Sequence, residues 1–433
     1  VLGSGVAGMT ATLRMLDAGA RVVLMDKEKR LGGNSAKASS GINSCCPEHS
    51  RSEKNAEDTV QSFASDTARS AKREESGLIN LLASNSAAAI SWLRSRTSID
   101  LSKVAQLGGH SYARTHRPAN GMIGAELVFA LQKEVKKFEK SGQLKLLLGC
   151  RATSLLQDDA GTVIGVAYKS EDGTPSELRV PDTVLATGGF ANDRTNTSLL
   201  LKHRPDLSTF PTTNGEWATG DGMKMAMAIG AGTIDMDRVQ VHPTGFVDPK
   251  DPTNPTKVLC GEMMRGVGGL LMTPDGRRFV NELAPRDKVV DGELQTKAAE
   301  FAIVLNQKAG EEAGKHVELY TRKGLLTKLA GTAELSNWFI DNIVPNGSSL
   351  SALSIEAQLN LTLAAYTTAA EAGSDEFGKR FFHNLPIEMH GSFYVGRIVP
   401  VLHYTMGGIT MDQNGVVLRT DGSVIWGLHA AGE

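Results

Sequence analysis

The apolar pattern near the amino terminus predicts a helix followed directly by a strand. Residues 6–17 have a helical pattern that we expect to end at Gly19, because glycine is common just past a last helical turn. The apolar run 22–25 follows at once and predicts a strand over 21–25. Since a glycine-rich turn precedes the helix, the pattern is typical of the first unit of a nucleotide-binding α/β fold.

Helical and extended patterns alternate through the rest of the chain. Residues 55–96 are mostly helix-forming, and 126–140 predicts an amphipathic helix with a lysine-rich face. Alternation over 144–148, 153–157 and 162–169 predicts a β-meander. We also expect strands over 183–186 and 424–428, a helix over 223–229 and a hairpin within 407–417. The side chains expected to be buried in the two helical regions are Leu78, Leu81, Leu82, Ala89, Trp92, Leu93, Leu127, Leu131, Val135 and Phe138.

The first glycines fit a pyrophosphate-binding turn. Gly3, Gly5 and Gly8 form a G-x-G-x-x-G pattern, with Ala7 before the last glycine. Such glycines let the backbone approach a pyrophosphate at the amino end of the following helix. Asp26 ends the predicted strand about 20 residues later, where an acid accepts the 2′-hydroxyl of an adenosine ribose. A carboxylate there argues against a 2′-phosphorylated cofactor, because the two anions would repel.

A second cluster of small residues distinguishes FAD from NAD as the cofactor. Residues 31–43 read LGGNSAKASSGIN. A flavin needs such a loop after the ribose acid, because its pyrophosphate, ribityl chain and ring edge continue past that strand. The candidate contacts within the loop are Asn34, Ser35, Ser39, Ser40 and Gly41.

These residues resemble the succinate dehydrogenase/fumarate reductase family of flavoproteins, in particular the eukaryotic NADH-dependent type of its soluble branch. The resemblance implies an α/β fold: a Rossmann-like FAD-binding domain with an inserted α+β capping domain. Membrane-bound members carry a histidine in this loop that bonds to the flavin, whereas here no histidine occurs before His49. Non-covalent FAD is therefore implied. The resemblance adds further cofactor contacts at Thr187, Gly188, Asp221, Tyr404 and Glu433.

Length and composition bound the remaining possibilities. A chain of 433 residues exceeds what one core usually organises, so we expect two domains. Clustered prolines and short mixed elements mark 237–402 as the inserted capping domain, between 1–236 and 403–433 of the FAD-binding domain. The balance of 46 basic and 48 acidic residues gives no electrostatic reason to expect a nucleic acid or membrane partner. The cysteines Cys45, Cys46, Cys150 and Cys260 lack C-x-x-C spacing, which suits a reducing compartment and gives no support to metal ligation.

Both ends of the sequence look cut. Only Val1 and Leu2 precede the first glycines, and the chain stops at Glu433, directly after an apolar strand. We therefore interpret it as a segment of a longer polypeptide, with any targeting sequence outside it. In the family that the chain resembles, a second carboxylate-binding arginine lies beyond this point. On that basis we expect that the segment alone neither folds cleanly nor catalyses.

Four phrases match the active site of the resembling family in the same order along the chain. They are VHPT at 241–244, GEMMRG at 261–266, RRFVNE with RDK over 277–288, and LHYTMGG at 402–408. Taken singly, each also fits an ordinary loop histidine or surface ion pair. Together they imply that His242, Gly261, Glu262 and His403 bind the carboxylates of a substrate. Some relatives have threonine where this chain has Gly261, so that one side-chain donor is missing here.

The implied reaction is reduction of fumarate to succinate. Hydride from N5 of FAD reaches one alkene carbon, and a proton must reach the other. On ordinary pKa values a histidine would be the expected donor, but the resemblance implies Arg286, with Glu262 and Arg265 returning the proton from solvent. Electrons would come from another module or from reduced, NADH-derived flavin. Two other functions remain open. The substrate could be another α,β-unsaturated carboxylate or a ketosteroid, or the chain could be an FAD-binding module that catalyses no reaction.

Overall fold

The computed structural model describes residues 1–45, 55–107, 109–118 and 122–433. Cys46 and His49 lie outside the described residues. The described chain divides into two compact units. The first contains Val1–Ser208, Asn214–Val239 and Tyr404–Glu433, and the second contains Thr209–Thr213 and Gln240–His403.

The helices and strands alternate along the chain. The helices are α1 Val6–Asp17, α2 Val60–Ala71, α3 Gly77–Thr97, α4 Ile123–Glu139, α5 Leu199–His203, α6 Asp221–Ala228, α7 Met263–Gly266, α8 Arg286–Thr296, α9 Gln307–Ala313, α10 Lys315–Arg322, α11 Gly331–Asn342 and α12 Ala352–Ala372. The strands are β1 Val22–Asp26, β2 Ile42–Asn43, β3 Lys103–Ala105, β4 Thr115–Arg117, β5 Leu144–Leu148, β6 Arg151–Gln157, β7 Val163–Lys169, β8 Pro175–Arg179, β9 Thr183–Leu185, β10 Thr233–Ile234, β11 Val239–Phe246, β12 Val258–Leu259, β13 Leu270–Met272, β14 Phe301–Asn306, β15 Thr327–Ala330, β16 Ser392–Thr405, β17 Gly408–Ile409, β18 Val416–Leu418 and β19 Val424–Ala430.

A parallel arrangement of strands organises the first unit. β1 pairs in parallel with β5, and β9 pairs in parallel with β19. Leu2 forms parallel bridges to both Met25 and Leu185, so it links the two pairs. The predicted helix over 6–17 is confirmed as α1, whose buried face includes Met9, Leu13 and Leu16.

The predicted β-meander is wrong in its first strand. β5 runs parallel to β1, whereas β6, β7 and β8 form a separate antiparallel sheet. The physical reason is that α4 returns the chain to the start of the neighbouring strand, which is the geometry of a parallel crossover connection. Local alternation cannot reveal such a non-local pairing.

The predicted burial of the helix before residue 97 is also partly wrong. Leu78, Leu81 and Leu82 are 38%, 39% and 55% exposed, and Ala89 is exposed as well. The inward face of α3 instead consists of Ala83, Ser86, Ile90 and Leu93. Trp92 is partly buried against the core that contains α1 and α4. Leu93 lies on the inward face, whereas Leu78, Leu81 and Leu82 lie off it and therefore stay exposed.

The second unit is built on an antiparallel sheet. Its strand order is β12-β11-β16-β14-β13, and β15 also pairs with β16. β14 is buried along its whole length, from Phe301 to Asn306, which gives this unit a core of its own. In the described residues, no helix is long and apolar enough to span a membrane.

Candidate active site

A cleft in the first unit lies where its parallel strands end. The lining segments follow the carboxyl ends of Leu2, β1, β9 and β19, the usual ligand position in an open α/β sheet. The cleft contains about 940 Å³ of space, part of it open to solvent. The predicted cofactor residues that line it are Gly3, Gly5, Ala7, Asp26, Asn34, Ser35, Thr187, Gly188, Asp221 and Glu433.

Two of the first glycines are required by backbone geometry. Gly3 has φ +97°, and a β-carbon there would overlap the carbonyl oxygen of Ala186. Gly8 does not line the cleft; a β-carbon on it would overlap the Gly3 carbonyl oxygen. Gly8 therefore lets α1 pack closely against the turn, and Gly3 lets the turn pack closely against the segment that follows β9.

The carboxylate of Asp26 is held in place at the end of β1. Its Oδ2 accepts from the backbone N–H of Ser4 at 2.7 Å and from the Ser4 hydroxyl, and its Oδ1 accepts from the Glu28 N–H at 2.8 Å. A carboxylate oxygen accepts about two hydrogen bonds, so Oδ1 can still accept one more. Asp26 therefore retains the capacity to bind a ribose hydroxyl, as the sequence predicts.

The second small-residue loop is fixed to two other segments of the first unit. Ser35 Oγ accepts from the Val6 N–H at 3.1 Å, at the start of α1. Asn34 Oδ1 accepts from the Gly215 N–H at 2.9 Å, and its Nδ2 donates to Asn214 Oδ1. These bonds hold the loop over the amino end of α1, where a pyrophosphate would be stabilised by the helix dipole.

Charged side chains that sequence reasoning missed also line the cleft. Lys27 Nζ lies 2.8 Å from Asp221 Oδ2 and donates to Thr219 Oγ1, and Arg151 Nη2 lies 3.1 Å from Asp221 Oδ1. Burial alone would raise the pKa of Asp221, but the bonds from Lys27 and Thr219 outweigh it and lower the pKa. Lys27 could have been found from the sequence, because it directly follows Asp26, whereas no sequence feature indicated Arg151.

Trp217 is a further lining residue that the sequence did not single out. Its ring lies under Lys37, whose Nζ is 5.2 Å from the ring centroid. The loop that carries it is the one that bonds Asn34. An aromatic side chain in this place can cover part of a planar or extended cofactor.

Glu433 lies in the cleft through its side chain. Its Oε1 accepts from the Thr405 N–H at 2.9 Å and from Thr405 Oγ1 at 3.1 Å. Burial of this carboxyl group raises its pKa, although the Thr405 bonds oppose the shift.

Besides Gly8, four predicted cofactor residues do not line this cleft. Gly41 leads into β2 and packs against His116 of β4, and Tyr404 is 43% exposed. Ser39 and Ser40 precede Gly41 on the same segment. Their assignment to the cofactor stays a prediction.

The cleft as a whole fits FAD. It combines a glycine turn at the start of α1, a fixed carboxylate at the ribose position and a polar loop that continues past it. The overlap that a β-carbon on Gly3 would cause with the Ala186 carbonyl oxygen shows that only glycine lets these two backbone segments meet beside the cleft.

A second cluster of the predicted residues lies within the second unit. β11 carries Gln240 and His242, β16 carries His403, and Arg286 is the first residue of α8. Pro285 directly precedes α8, a residue that fits a helix start because it lacks an N–H. Glu262 is the residue before α7, and Arg265 follows it by three positions.

The two histidines lie edge to face, with ring centroids 5.2 Å apart. His242 is 1% exposed, and its Nδ1 accepts from the Thr244 N–H at 3.1 Å. A neutral ring with an accepting Nδ1 carries its proton on Nε2, which has no hydrogen-bond partner among the described residues. His403 Nδ1 lies 2.7 Å from Thr213 Oγ1, which fixes that ring in turn.

Both imidazoles are neutral at ordinary pH. Burial, followed by the positive charge of Arg286, lowers the pKa of His403 to about 3. Burial, Arg286 and His403 lower the pKa of His242 well below its usual value. The cluster therefore offers imidazole groups rather than imidazolium ions.

Arg286 is held by three hydrogen bonds. Its Nη2 and Nε donate to Glu262 Oε2 at 2.7 and 3.2 Å, and its Nη1 donates to Gln240 Oε1 at 2.7 Å. Arg265 is buried, and its Nη1 donates to the carbonyl of Glu282 at 2.6 Å. The structure thus brings together the three residues predicted to move the proton, and it adds Gln240, which the sequence did not indicate.

The backbone N–H of Gly261, a residue predicted to bind a substrate carboxylate, already has a hydrogen-bond partner. Its N–H donates to the hydroxyl of Tyr320 at 3.2 Å, and that hydroxyl donates to the Leu259 carbonyl at 3.0 Å. The amide could reach a substrate only by giving up this bond. Tyr320 lies 59 residues further along the chain, so spacing gave no signal for the pairing.

The described part of the chain contains no group of three or more metal-ligating side chains. Cys150 and Cys260 are free and buried, and Cys45 is buried as well. Burial raises the pKa of the Cys260 thiol to about 12. This thiol is therefore protonated at ordinary pH.

Comparison with known proteins agrees with this geometry. An FAD binding domain family model matches residues 1–433. The chain is 41% identical to a fumarate reductase of Schizosaccharomyces pombe, covering all of this chain and 82% of the relative. It is 35% identical to fumarate reductase 1 of Saccharomyces cerevisiae, covering all of this chain and 91% of the relative.

A solved structure supports the predicted fold class. The open conformation of a flavocytochrome c3 fumarate reductase matches with a TM-score of 0.77 and 29% identity, over all of this chain and 72% of that one. The α/β fold with a Rossmann-like FAD-binding part and a cap is thereby confirmed. With the glycine cradle and the polar loop of the first unit, these matches show that the chain belongs to the FAD-binding succinate dehydrogenase/fumarate reductase flavoprotein family and is an FAD-dependent oxidoreductase.

Proposed function

We propose that this protein reduces fumarate to succinate, using a hydride from FAD and a proton from Arg286. The observation that carries the proposal is the cluster of the second unit, where Arg286 is fixed by Glu262 and Gln240. The same unit holds two neutral histidines 5.2 Å apart. The names of the two yeast relatives support the same substrate.

The cluster suits a small dianion. Arg286 and Arg265 are cations, and Glu262 balances one of them. The amino end of α8 adds partial positive charge, which stabilises anions. Neutral imidazole N–H groups can donate to carboxylates, and a preorganised donor to developing negative charge is worth about 3–4 kcal/mol when removed. His242, with its proton on Nε2, has such a donor to offer.

The cofactor would be held without a covalent bond. The loop 31–43 contains asparagine and serines but no histidine. Gly3, Gly5, Asp26 and Ser35 would hold the nucleotide and pyrophosphate parts of FAD. When bound and reduced, FAD would supply the hydride that one alkene carbon receives.

Arg286 then delivers the proton to the other alkene carbon. The N–H bond of the guanidinium breaks and a C–H bond forms, so the product gains one hydride and one proton. Arginine holds its proton tightly, but the carbon that receives it is strongly basic. The Glu262 carboxylate, bonded to Arg286 through one oxygen, takes a proton from Arg265 and returns it to Arg286.

Electrons for the cofactor would come from another module or from a reduced, NADH-derived flavin. One alternative function keeps the fold but has another α,β-unsaturated carboxylate or a ketosteroid as the substrate. The other is an FAD-binding module that catalyses no reaction. Two imidazole donors favour a dicarboxylate, since an apolar ring substrate has no use for them. A cofactor-binding module has no use for a buried arginine and a guanidinium held by a glutamate.

The test is a substrate comparison on the FAD-loaded, full-length protein. Reduced methyl viologen serves as electron donor, and kcat/KM is measured for fumarate, acrylate, urocanate and a 3-ketosteroid. We expect fumarate to exceed each of the others by on the order of 100-fold, because a site built for two carboxylates leaves polar groups unpaired with the alternatives. A flavin-loaded protein that turns over a ketosteroid or urocanate better than fumarate, or nothing at all, would contradict the proposal.

A further inference from the structure

A buried glutamate lies beside the proposed proton pathway without taking part in it. Glu293 is on α8 and is 1% exposed. Neither of its carboxyl oxygens has a hydrogen-bond partner among the described residues. Burial raises the pKa of Glu293 well above its usual value, which favours the protonated, neutral form of the group.

Arg265 is the neighbour through which Glu293 could act. It is 2% exposed, and its Nε and Nη2 have no hydrogen-bond partner among the described residues. The positive charge of Arg265 interacts with the carboxyl groups of both Glu293 and Glu262. Among the described residues, it is the charge of Arg265 that lowers the pKa of Glu293, against the raising effect of burial.

The helix register explains how this arrangement arises. Arg286 and Glu293 are seven positions apart on α8, which is about two turns and returns to the same face. Val289 and Val290 are buried between them. One face of a single helix therefore places the proposed proton donor at one end and a neutral carboxylic acid two turns further along.

The surroundings of Glu293 favour a neutral acid at rest. The neighbouring side chains on its face of the helix, Val289 and Val290, are apolar and buried. An unpaired charge in such surroundings is costly, whereas a carboxylate formed beside a guanidinium is compensated. Ionisation of Glu293 is thus tied to the charge of Arg265.

We propose that Glu293 stores the proton that recharges Arg265 after each turnover. This inference rests on the proposed function. After Arg286 has given its proton to carbon, the Glu262 carboxylate takes a proton from Arg265 and passes it to Arg286. The neutral Arg265 then takes the proton of the Glu293 carboxyl group, so that one O–H bond breaks and one N–H bond forms. This leaves Glu293 as a carboxylate beside a cationic Arg265, and solvent later restores its proton.

Direct hydrogen bonding does not join the two groups. The proton therefore crosses after rotation of the Glu293 side chain or through a bridging water. Glu293 does not contact the substrate in this scheme. It acts through Arg265, and its effect should appear in the supply of protons rather than in substrate binding.

The test compares Glu293→Gln, Glu293→Asp and Asp291→Asn in the FAD-loaded, full-length protein. Asp291 is an exposed acid on the same helix and serves as the matched control. We expect Glu293→Gln to lower kcat for fumarate by about 10-fold or more. A group that transfers a proton directly to or from the substrate contributes about 10²–10⁴-fold, and Glu293 acts only through Arg265. The loss should grow with pH, because reprotonation then depends on solvent protons. The KM for fumarate should stay unchanged, the solvent deuterium isotope effect on kcat should rise, and Glu293→Asp should keep more activity than Glu293→Gln.

A spectroscopic readout separates a proton store from a packing role. The infrared C=O stretch of a protonated carboxyl group should be present in wild type and in Asp291→Asn, and missing in Glu293→Gln. If Glu293→Gln does not retain FAD, the same pH profile and isotope effect measured on Glu293→Asp decide the matter. A Glu293 variant that behaves like Asp291→Asn in a fumarate-reducing protein would overturn this inference and leave the proposed function intact. A wild-type protein that does not reduce fumarate would overturn both.

Discussion

Arg286 donates two hydrogen bonds to a single oxygen of Glu262, from Nη2 at 2.7 Å and from Nε at 3.2 Å. The side chains of this pair are 25% and 22% exposed, so solvent screens part of their attraction. An ion pair in this position contributes little to stability. The pair instead orients the guanidinium group of Arg286, because a third hydrogen bond, to Gln240, prevents that group from rotating.

The first prediction concerns this guanidinium. Arg286→Gln removes the proton donor, and Arg286→Lys keeps the charge but cannot form the same three bonds. We expect both variants to lose fumarate reduction by at least about 10²–10⁴-fold, as for the loss of a positioned acid, while FAD stays bound. The measurement is the methyl viologen-linked rate together with the flavin-to-protein ratio. Lys288→Gln, an exposed change on the same helix, is the control, and substantial turnover by Arg286→Gln would remove Arg286 from the role.

The sequence predicted the local elements of the first unit well and its long-range pairings less well. α1, β1 and the glycine turn follow from short-range periodicity and from backbone demands such as the positive φ of Gly3. The partner of β5 depends on a connection of more than one hundred residues from β1. Alternation within one strand contains no information about such a partner.

For a similar reason, only part of the candidate site could be predicted from the sequence. Motif residues such as Glu262, Arg265 and Arg286 lie in recognisable phrases. Gln240 and Thr213 act by orienting a motif residue, and each reaches it from a distant part of the chain. Their identity follows from the three-dimensional contact alone.

The second prediction concerns stability at low pH. The pKa of His403 is about 3 in the folded protein and about 6.5 in an unfolded chain, so between these values the unfolded state binds the extra proton. Lowering the pH through this window therefore destabilises the folded protein, by about 1.4 kcal/mol per pH unit for one such histidine. The loss begins below about pH 6.5 and is complete near pH 3.

His403→Gln should remove this contribution. We expect its melting temperature to fall less than that of wild type between pH 7.5 and pH 5, by several degrees. His390→Gln, a change at an exposed histidine of the same unit, should keep the wild-type pH dependence. Equal losses in His403→Gln and wild type would show that His403 is not held neutral by its surroundings.

The third prediction uses Trp217 as a reporter of the cofactor cleft. Trp217 lines the cleft under Lys37, whereas Trp338 packs against Phe339 in the second unit. Titration of FAD into apoprotein should quench tryptophan emission, because a flavin close to an indole ring removes its excited state. The quenched fraction should be smaller in Trp217→Phe than in Trp338→Phe. If the two variants quench equally, Trp217 does not lie against the bound cofactor.

The fourth prediction separates backbone strain from crowding at the glycine turn. Gly3 and Gly19 both have positive φ, at +97° and +85°, so an alanine at either position is strained by about 1–2 kcal/mol. A β-carbon on Gly19 would meet nothing within 4 Å, whereas one on Gly3 would overlap the Ala186 carbonyl oxygen beside the cleft. We therefore expect Gly19→Ala to retain FAD with a modest drop in melting temperature, and Gly3→Ala to lose FAD and melt at a distinctly lower temperature. The flavin-to-protein ratio and the melting temperature check both, and a Gly3→Ala protein that matches Gly19→Ala in both would show that close approach at this turn is not what the glycine provides.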